Sequence, residues 1–182
     1  MKKIQKLKNQ PKKSIIGDGI DGDIHYIDSF RIKIENKNNY SVDYLTALLF
    51  SSIPGWVEIL FKLRNFLVKP FGLKTGIFPK QETLKTSLHY TMGDRAILFS
   101  VINRSEAEIV MAEDDKHLYF RASLYVERTP LQNLDAIYLT TLVQFHNIWG
   151  KVYFAPVKPF HKLIMKKLLA NFSKTFKRDF GH

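Results

Sequence analysis

Acidic residues stand beside a histidine near the middle of the chain, where Glu113, Asp114 and Asp115 precede His117. Such a group could hold a divalent cation or provide an acid and a base. The same residues also suit a polar turn that leads into a strand, because aspartate side chains form local hydrogen bonds in turns. Metal ligands must converge on one point, whereas neighbouring residues of an extended chain point to opposite sides. The sequence therefore favours a structural turn and predicts no metal and no cofactor.

Two further polar residues, Tyr119 and Arg121, share one face of the strand predicted to follow this turn. A buried Arg121 would need a carboxylate partner, such as Asp28 or Asp94. Alternatively, its guanidinium group would bind an anionic head group of a ligand. Arg64, beside the apolar stripe of a predicted helix, has the same two interpretations.

Histidines and aromatic residues supply the remaining candidates. His161 is predicted to open the last helix, where the N-terminus of a helix keeps an imidazole neutral and suited to hydrogen bonding. Aromatic residues make up 13% of the chain, and large flat side chains such as Trp56 commonly line small-molecule pockets. The sequence assigns no catalytic residue. Its candidate ligand-binding residues are Arg64, Tyr119, Arg121, His161 and Trp56.

The chain lacks the familiar catalytic motifs. It contains no GxSxG, no phosphate-binding glycine loop, no CxxC and no HExxH, which disfavours the enzyme classes that depend on them. The run GDGIDGD at residues 17–23 has the acidic spacing of a calcium loop but lacks the bidentate glutamate that follows in such loops. The chain also has no cysteine, which fits a reducing compartment, and we predict a cytoplasmic protein.

The spacing of apolar residues predicts the elements that position these side chains. Residues 117–127 alternate with the period of a strand, so that one face carries Leu118, Phe120, Ala122, Leu124 and Val126. Further strands are predicted at residues 24–34, 96–102, 106–112 and 136–145. Helical spacing marks residues 42–52, 56–68 and 159–177. The last helix carries an apolar stripe of Phe160, Leu163, Ile164, Leu168, Phe172 and Phe176.

These elements predict an α+β fold, in which a curved antiparallel sheet packs against a long C-terminal helix and two helices follow the first strand. Residues 1–22 are predicted to form a flexible basic lead-in, and residues 23–182 a single α+β domain. The net charge is +11, with lysines concentrated in the lead-in and in the last helix. Such a tail either stays solvated or attracts an anionic membrane surface or nucleic acid.

Four stretches of the chain resemble a known family. They read IPGWVEILFKLRNFLVKPFGL, MGDRAILFSV, EAEIVMAEDDKHLYFRASL and TLVQFHNIWGKVYFAPVKPFHKLI. In this order they resemble the bacterial domain of unknown function 2867, over residues 22–169. The resemblance implies no catalytic residues, because the family has no assigned chemistry. Some relatives carry the domain after a nucleotide-binding oxidoreductase-like domain, but this chain has no glycine-rich dinucleotide loop after a strand.

The order of elements is also similar to the START-like, or helix-grip, superfamily. That resemblance implies a cavity for an apolar or amphipathic small molecule between the sheet and the helix at residues 159–177. Members of the superfamily range from carriers to cyclases, so the fold alone does not settle the function. The first hypothesis is a noncatalytic binding module. The second is a cofactor-free cyclase- or hydratase-like enzyme that uses His117, His161 or Asp28, and the third is an adaptor whose lysine-rich tail holds anionic membrane or nucleic acid.

Overall fold

The computed structural model describes residues 3–68, 89–96, 99–129 and 134–180. Side chains are described for these ranges except at residues 63, 64, 66–68, 96 and 180. Within this part of the chain the strands are β1 (Gln5–Leu7), β2 (Tyr26–Glu35), β3 (Arg95–Ala96), β4 (Phe99–Arg104), β5 (Glu108–Asp114), β6 (Leu118–Glu127) and β7 (Leu134–Phe145). The helices are α1 (Val42–Ser51), α2 (Trp56–Val68) and α3 (Ile148–Phe180).

The described strands form one curved antiparallel sheet with the order β1-β2-β7-β6-β5-β4-β3. Strand β7 lies in its middle and pairs along its length with β2 on one side and β6 on the other. Two helices follow β2, and α3 follows β7. The predicted α+β, helix-grip-like architecture is therefore confirmed.

The two faces of the sheet differ because side chains alternate along each strand. The face that we call the helix side carries Phe30 and Ile32 of β2, Leu139 of β7 and Leu124 of β6, all in the main core. Helix α3 covers this side with Met165, Leu168, Leu169, Phe172 and Phe176. The predicted floor of even-numbered β6 residues under the last helix is thus present.

Helix α3 begins earlier than the sequence predicts. The predicted start was Pro159, because proline suits the first turn of a helix. In the structure α3 begins at Ile148, and Pro156 and Pro159 lie inside it. Each proline removes one backbone N–H from the helical hydrogen-bond pattern. Contacts with the sheet stabilise the first turns, since Gly150 and Phe154 are both buried there.

Residues 3–22 pack against the sheet. Composition predicts a flexible lead-in, but β1 pairs with β2, and Ile16 is fully buried against Val110 and Leu142. This cluster lies on the outer side of the sheet, opposite α3. The physical reason is that alternation leaves apolar residues on the outer side as well, and residues 14–20 bring isoleucines to cover them.

Hydrogen bonds attach the same segment to the sheet. Ser14 Oγ donates to Glu108 Oε1 at 2.6 Å, and the Ile15 N–H donates to Glu108 Oε2 at 2.7 Å. Burial raises the pKa of Glu108, although these hydrogen bonds oppose the shift. The segment is therefore bound through polar as well as apolar contacts.

In the described part of the chain, no helix taken alone has both the length and the apolar character needed to cross a membrane. Residues 42–51 and 56–62, two helical pieces bent by 80°, satisfy that test of length and composition together.

We predict that Gly150→Ala destabilises the protein by about 1–3 kcal/mol, the usual effect of overpacking. A Cβ atom at this position would overlap the backbone carbonyl oxygen of His117. Urea unfolding measures the change. The control is Gly55→Ala, where an added Cβ meets nothing within 4 Å and a change below about 1 kcal/mol is expected. Equal losses in the two variants would contradict the close approach of α3 to the sheet.

Candidate functional site

A buried carboxylate lies on the helix side of the sheet, within an otherwise apolar strand face. Asp28 of β2 is 1% exposed, and its Oδ2 accepts a hydrogen bond from Tyr26 Oη at 2.8 Å. Its Oδ1 atom makes no hydrogen bond and lies 3.4 Å from Nζ of Lys6, whose side chain is about half exposed. Burying such an acceptor without a hydrogen-bond donor is unfavourable. Asp28 therefore has spare capacity to accept a hydrogen bond.

Tyr26 remains a donor to this carboxylate at every physiological pH. Its burial raises the pKa of the phenol well above the ordinary value, and the hydrogen bond to Asp28 raises the pKa further. The Tyr26 ring packs edge-on against Phe154 of α3, with ring centroids 4.8 Å apart. Tyr26 thus fixes the orientation of Asp28 beneath the helix.

His161 of α3 lies beside this pair. Its Nε2 atom is 3.2 Å from Oγ1 of Thr141, and Thr141 is the β7 residue opposite Asp28. The imidazole also meets the rings of Tyr26 and Phe120 edge-on, at centroid distances of 6.4 and 6.2 Å. The helix and two strands therefore bring these groups together.

Burial lowers the pKa of His161 to about 4, a shift that the negative charge of Asp28 opposes and Lys162 reinforces. The imidazole is therefore neutral at pH 7. The sequence attributed this neutrality to a helix N-terminus, but α3 begins at Ile148, several turns earlier. Desolvation is the physical cause.

Aromatic rings border the polar groups. Phe99 of β4 and Phe120 of β6 are stacked with centroids 5.1 Å apart, and both are half-buried. Nζ of Lys158 lies 5.1 Å from the centre of the Tyr26 ring. We call this group the Asp28–His161 cluster; it comprises Tyr26, Asp28, Phe99, Phe120, Thr141 and His161.

Tyr119 and Arg121 lie on the outer side of the sheet. Arg121 is buried and donates to the carbonyl oxygens of Ile16 at 2.9 Å and Asp18 at 2.6 Å, and its Nε donates to Tyr119 Oη at 2.9 Å. Backbone carbonyls, in place of the carboxylate partner expected from sequence, satisfy the guanidinium group. Both residues therefore hold the N-terminal segment and do not line the space beneath α3.

The acidic turn is structural in the described chain. Nε2 of His146 is 2.7 Å from Oδ1 of Asp114, and Nη2 of Arg95 is 3.6 Å from Oε2 of Glu113. Nδ1 of the buried His117 lies 3.1 Å from Oδ1 of Asn147. Among the described residues no group of three or more histidine or acidic side chains could hold a metal ion.

The two remaining candidates are in α2. Trp56 is its first residue and is half-buried, whereas the side chain of Arg64 lies outside the described residues. Next to Trp56, Ser51–Gly55 and the α3 residues Asn171, Lys174 and Thr175 line an open depression of about 340 Å³.

The sequence predicts a cavity between the sheet and residues 159–177, but apolar side chains of α3 fill the core along most of that range. Met165, Leu168, Leu169, Phe172 and Phe176 pack there against the sheet and α1. The buried Oδ1 of Asp28, which makes no hydrogen bond, lies near the start of that range, at the Asp28–His161 cluster. His161 and Asp28 were candidates from the sequence, and Phe120 was among its possible pocket-lining aromatics, whereas Tyr26 and Thr141 were not assigned to a site. The available signal was a carboxylate on the same strand face as Phe30, Ile32 and Ile34.

We predict that the free energy of unfolding falls as the pH drops from about 6.5 towards 4. In this range His161 takes up a proton in the unfolded chain but not in the folded protein, since its pKa changes from 6.5 to about 4 on folding. The loss is at most about 3 kcal/mol, at 1.36 kcal/mol per pH unit. Urea unfolding between pH 4.5 and 7.5 measures it.

The variant His161→Gln cannot titrate and should flatten this part of the profile. Ala155→Gln is the control, because it places the same glutamine side chain at an exposed position of α3 and removes no histidine or carboxylate, so the pH dependence should stay unchanged. An unaltered slope in His161→Gln would show that His161 does not carry the effect.

Comparisons with known proteins agree with this architecture but assign it no chemistry. No curated protein and no solved structure matches the chain. The family described as protein of unknown function, DUF2867, matches residues 20–168. These residues include every member of the Asp28–His161 cluster and all elements from β2 to the first two-thirds of α3. The chain belongs to the DUF2867 family.

Proposed function

We propose that the protein is a noncatalytic binding module for a small amphipathic molecule, which occupies the Asp28–His161 cluster. The observation that carries this proposal is Oδ1 of Asp28, a buried acceptor that makes no hydrogen bond, lies near a neutral imidazole and has the half-exposed Lys6 as its charge partner at 3.4 Å. Small-molecule sites combine apolar and aromatic walls with a few such polar groups. The cluster has this composition on the helix side of the sheet.

The chemistry of the cluster indicates what the ligand presents. Oδ1 of Asp28 accepts, so the ligand needs a hydroxyl or amine donor at this point. The half-buried rings of Phe99 and Phe120 offer an aromatic surface to an apolar body. Lys6 and Lys158 extend from the borders of the cluster to solvent, where they would favour a negative charge at the outer end of the ligand.

The test uses the fluorescent probe 11-(dansylamino)undecanoic acid, with native mass spectrometry of the purified protein to detect a retained small molecule. We expect saturable binding of the probe at one site. Phe120→Ala and His161→Gln should weaken it at least about tenfold, equivalent to about 1.4 kcal/mol. Each removes a side chain that would contact the ligand.

Tyr119→Ala is the matched control for Phe120→Ala. The two residues are neighbours on β6 and both half-buried, but Tyr119 faces the outer side. Probe affinity should stay within about twofold in this variant. Absence of probe binding and of any retained molecule would contradict the proposal, as would equal losses in the Tyr119 and Phe120 variants.

A second candidate function is cofactor-free acid–base catalysis, of the cyclase or hydratase kind. The favouring observation is that the negative charge of the buried Asp28 raises the pKa of His161 and so opposes the effect of burial. A neutral imidazole can accept a proton at pH 7, and a neighbouring carboxylate stabilises the imidazolium that forms. Asp28 and His161 are the residues that would carry this function.

For this candidate we predict that Asp28→Asn lowers the pKa of His161 further. Asp28 raises that pKa through its negative charge, and asparagine keeps the shape without the charge. An NMR titration of the His161 ring protons measures the shift, with Asp18→Asn, an exposed site on the outer side, as control. An unchanged pKa in Asp28→Asn would remove the electrostatic pair that acid–base catalysis requires.

A further inference from the structure

The solvent-facing side of the first half of α3 is apolar. The sequence predicts Phe160 and Leu163 in the buried stripe of this helix, but they are 51% and 46% exposed. Trp149 and Val152 are each 56% exposed, and Pro156 is exposed as well. The prediction failed because Met165, Leu168, Leu169, Phe172 and Phe176 already fill the core-facing positions.

These five exposed residues form one continuous stripe. They follow one another at intervals of three or four residues, the spacing of one helical face. At 1.5 Å per residue the stripe is about 21 Å long. We call it the α3 outer stripe; it comprises Trp149, Val152, Pro156, Phe160 and Leu163.

Positive charge accompanies the stripe. Within α3 the cationic residues are Lys151, Lys158, Lys162, Lys166, Lys167, Lys174, Lys177 and Arg178, whereas Asp179 is the sole acidic residue. Lys166 and Lys167 are exposed in the turn that follows the stripe. Lys158 instead lies over the Tyr26 ring, on the sheet side of α3. An apolar strip that ends in exposed lysines is complementary to an anionic bilayer, which is apolar beneath a negatively charged boundary.

We propose that the α3 outer stripe docks onto the surface of an anionic lipid bilayer. Helices that lie in the membrane interface combine large apolar side chains with lysine on their polar flanks. Tryptophan favours the boundary between headgroups and acyl chains, and each lysine near an anionic surface adds attraction. The stripe satisfies these requirements with side chains that are already exposed in the folded protein.

Other occupants fit the stripe less well. Single-stranded nucleic acid binds by stacking bases on aromatic rings, whereas Val152, Pro156 and Leu163 have no aromatic ring. A second copy of the chain would bring two lysine-rich helices together, and like charges repel. Membrane docking also differs from the tail-based adaptor suggested by the sequence, since residues 14–20 of that tail pack on the opposite side of the sheet.

The proposal is independent of ligand binding in the cluster. Phe160 faces solvent while its neighbour His161 faces the sheet, so the stripe and the Asp28–His161 cluster occupy opposite sides of the same turns. Substitutions in the stripe should therefore leave probe affinity in the cluster unchanged, and failure of one proposal does not entail failure of the other.

The test is co-sedimentation of the full chain with vesicles of phosphatidylcholine containing 30% phosphatidylglycerol, against vesicles of phosphatidylcholine alone. We expect binding to the anionic vesicles that weakens with added salt. The triple substitution Val152→Ser, Phe160→Ser and Leu163→Ser should reduce binding at least about tenfold. In a Trp56→Phe background, Trp149 is the remaining tryptophan, and its emission should shift to shorter wavelength on the anionic vesicles.

Ile59→Ser is the matched control, because Ile59 is 67% exposed on α2 and lies outside the stripe. It should bind the vesicles as the unmodified protein does, and circular dichroism checks that each variant is folded. No binding to anionic vesicles, equal binding by the triple variant, or equal binding to both vesicle types would overturn the proposal. So would a stripe-dependent dimer, or stripe-dependent binding of single-stranded DNA without vesicle binding.

Discussion

The register of the central strand β7 with its two neighbours determines most of the structure. Ten residue pairs join β7 to β2 and ten join it to β6. Side chains alternate along a strand, so a shift of one residue would exchange the two faces of the sheet. In the observed register Asp28, Thr141 and Ala122 share the helix side, whereas Leu142 and Arg121 share the outer side. The N-terminal segment and α3 each bind to one of these faces.

The same register places polar groups beneath a helix. Asp28 lies between Tyr26 and Phe30 on a strand face whose other side chains are mostly apolar, and its carboxylate makes one short hydrogen bond. Its other partner is the half-exposed Lys6, 3.4 Å from Oδ1, and burying a carboxylate with only these two partners costs free energy. His161 remains neutral for the same reason, because burial disfavours its charged form. A buried acceptor that makes no hydrogen bond within the protein can accept one from a ligand. For this reason the proposed function is assigned to this cluster.

Much of the architecture could be predicted from sequence, because the alternation of β6 and the length of the last helix are strong local signals. The positions of individual side chains were harder to predict from the sequence. Helix α3 carries two apolar stripes, and helical spacing alone does not distinguish the one that packs on the sheet from the one at Phe160 and Leu163. Likewise, the composition of the Gly- and Asp-rich segment does not indicate that Ile16 packs against Val110 and Leu142 on the outer side of the sheet. These outcomes depend on contacts between residues far apart in the chain.

The central claim is that a small molecule binds on the helix side of the sheet, at the Asp28–His161 cluster. Three consecutive β7 residues report on this directly, since Thr141 and Val143 face the helix side and Leu142 faces the outer side. A methyl NMR titration with 11-(dansylamino)undecanoic acid should shift the Thr141 and Val143 signals and leave those of Leu142 in place. Shifts of Leu142 with unmoved Thr141 and Val143 would place the ligand on the other face and contradict the account.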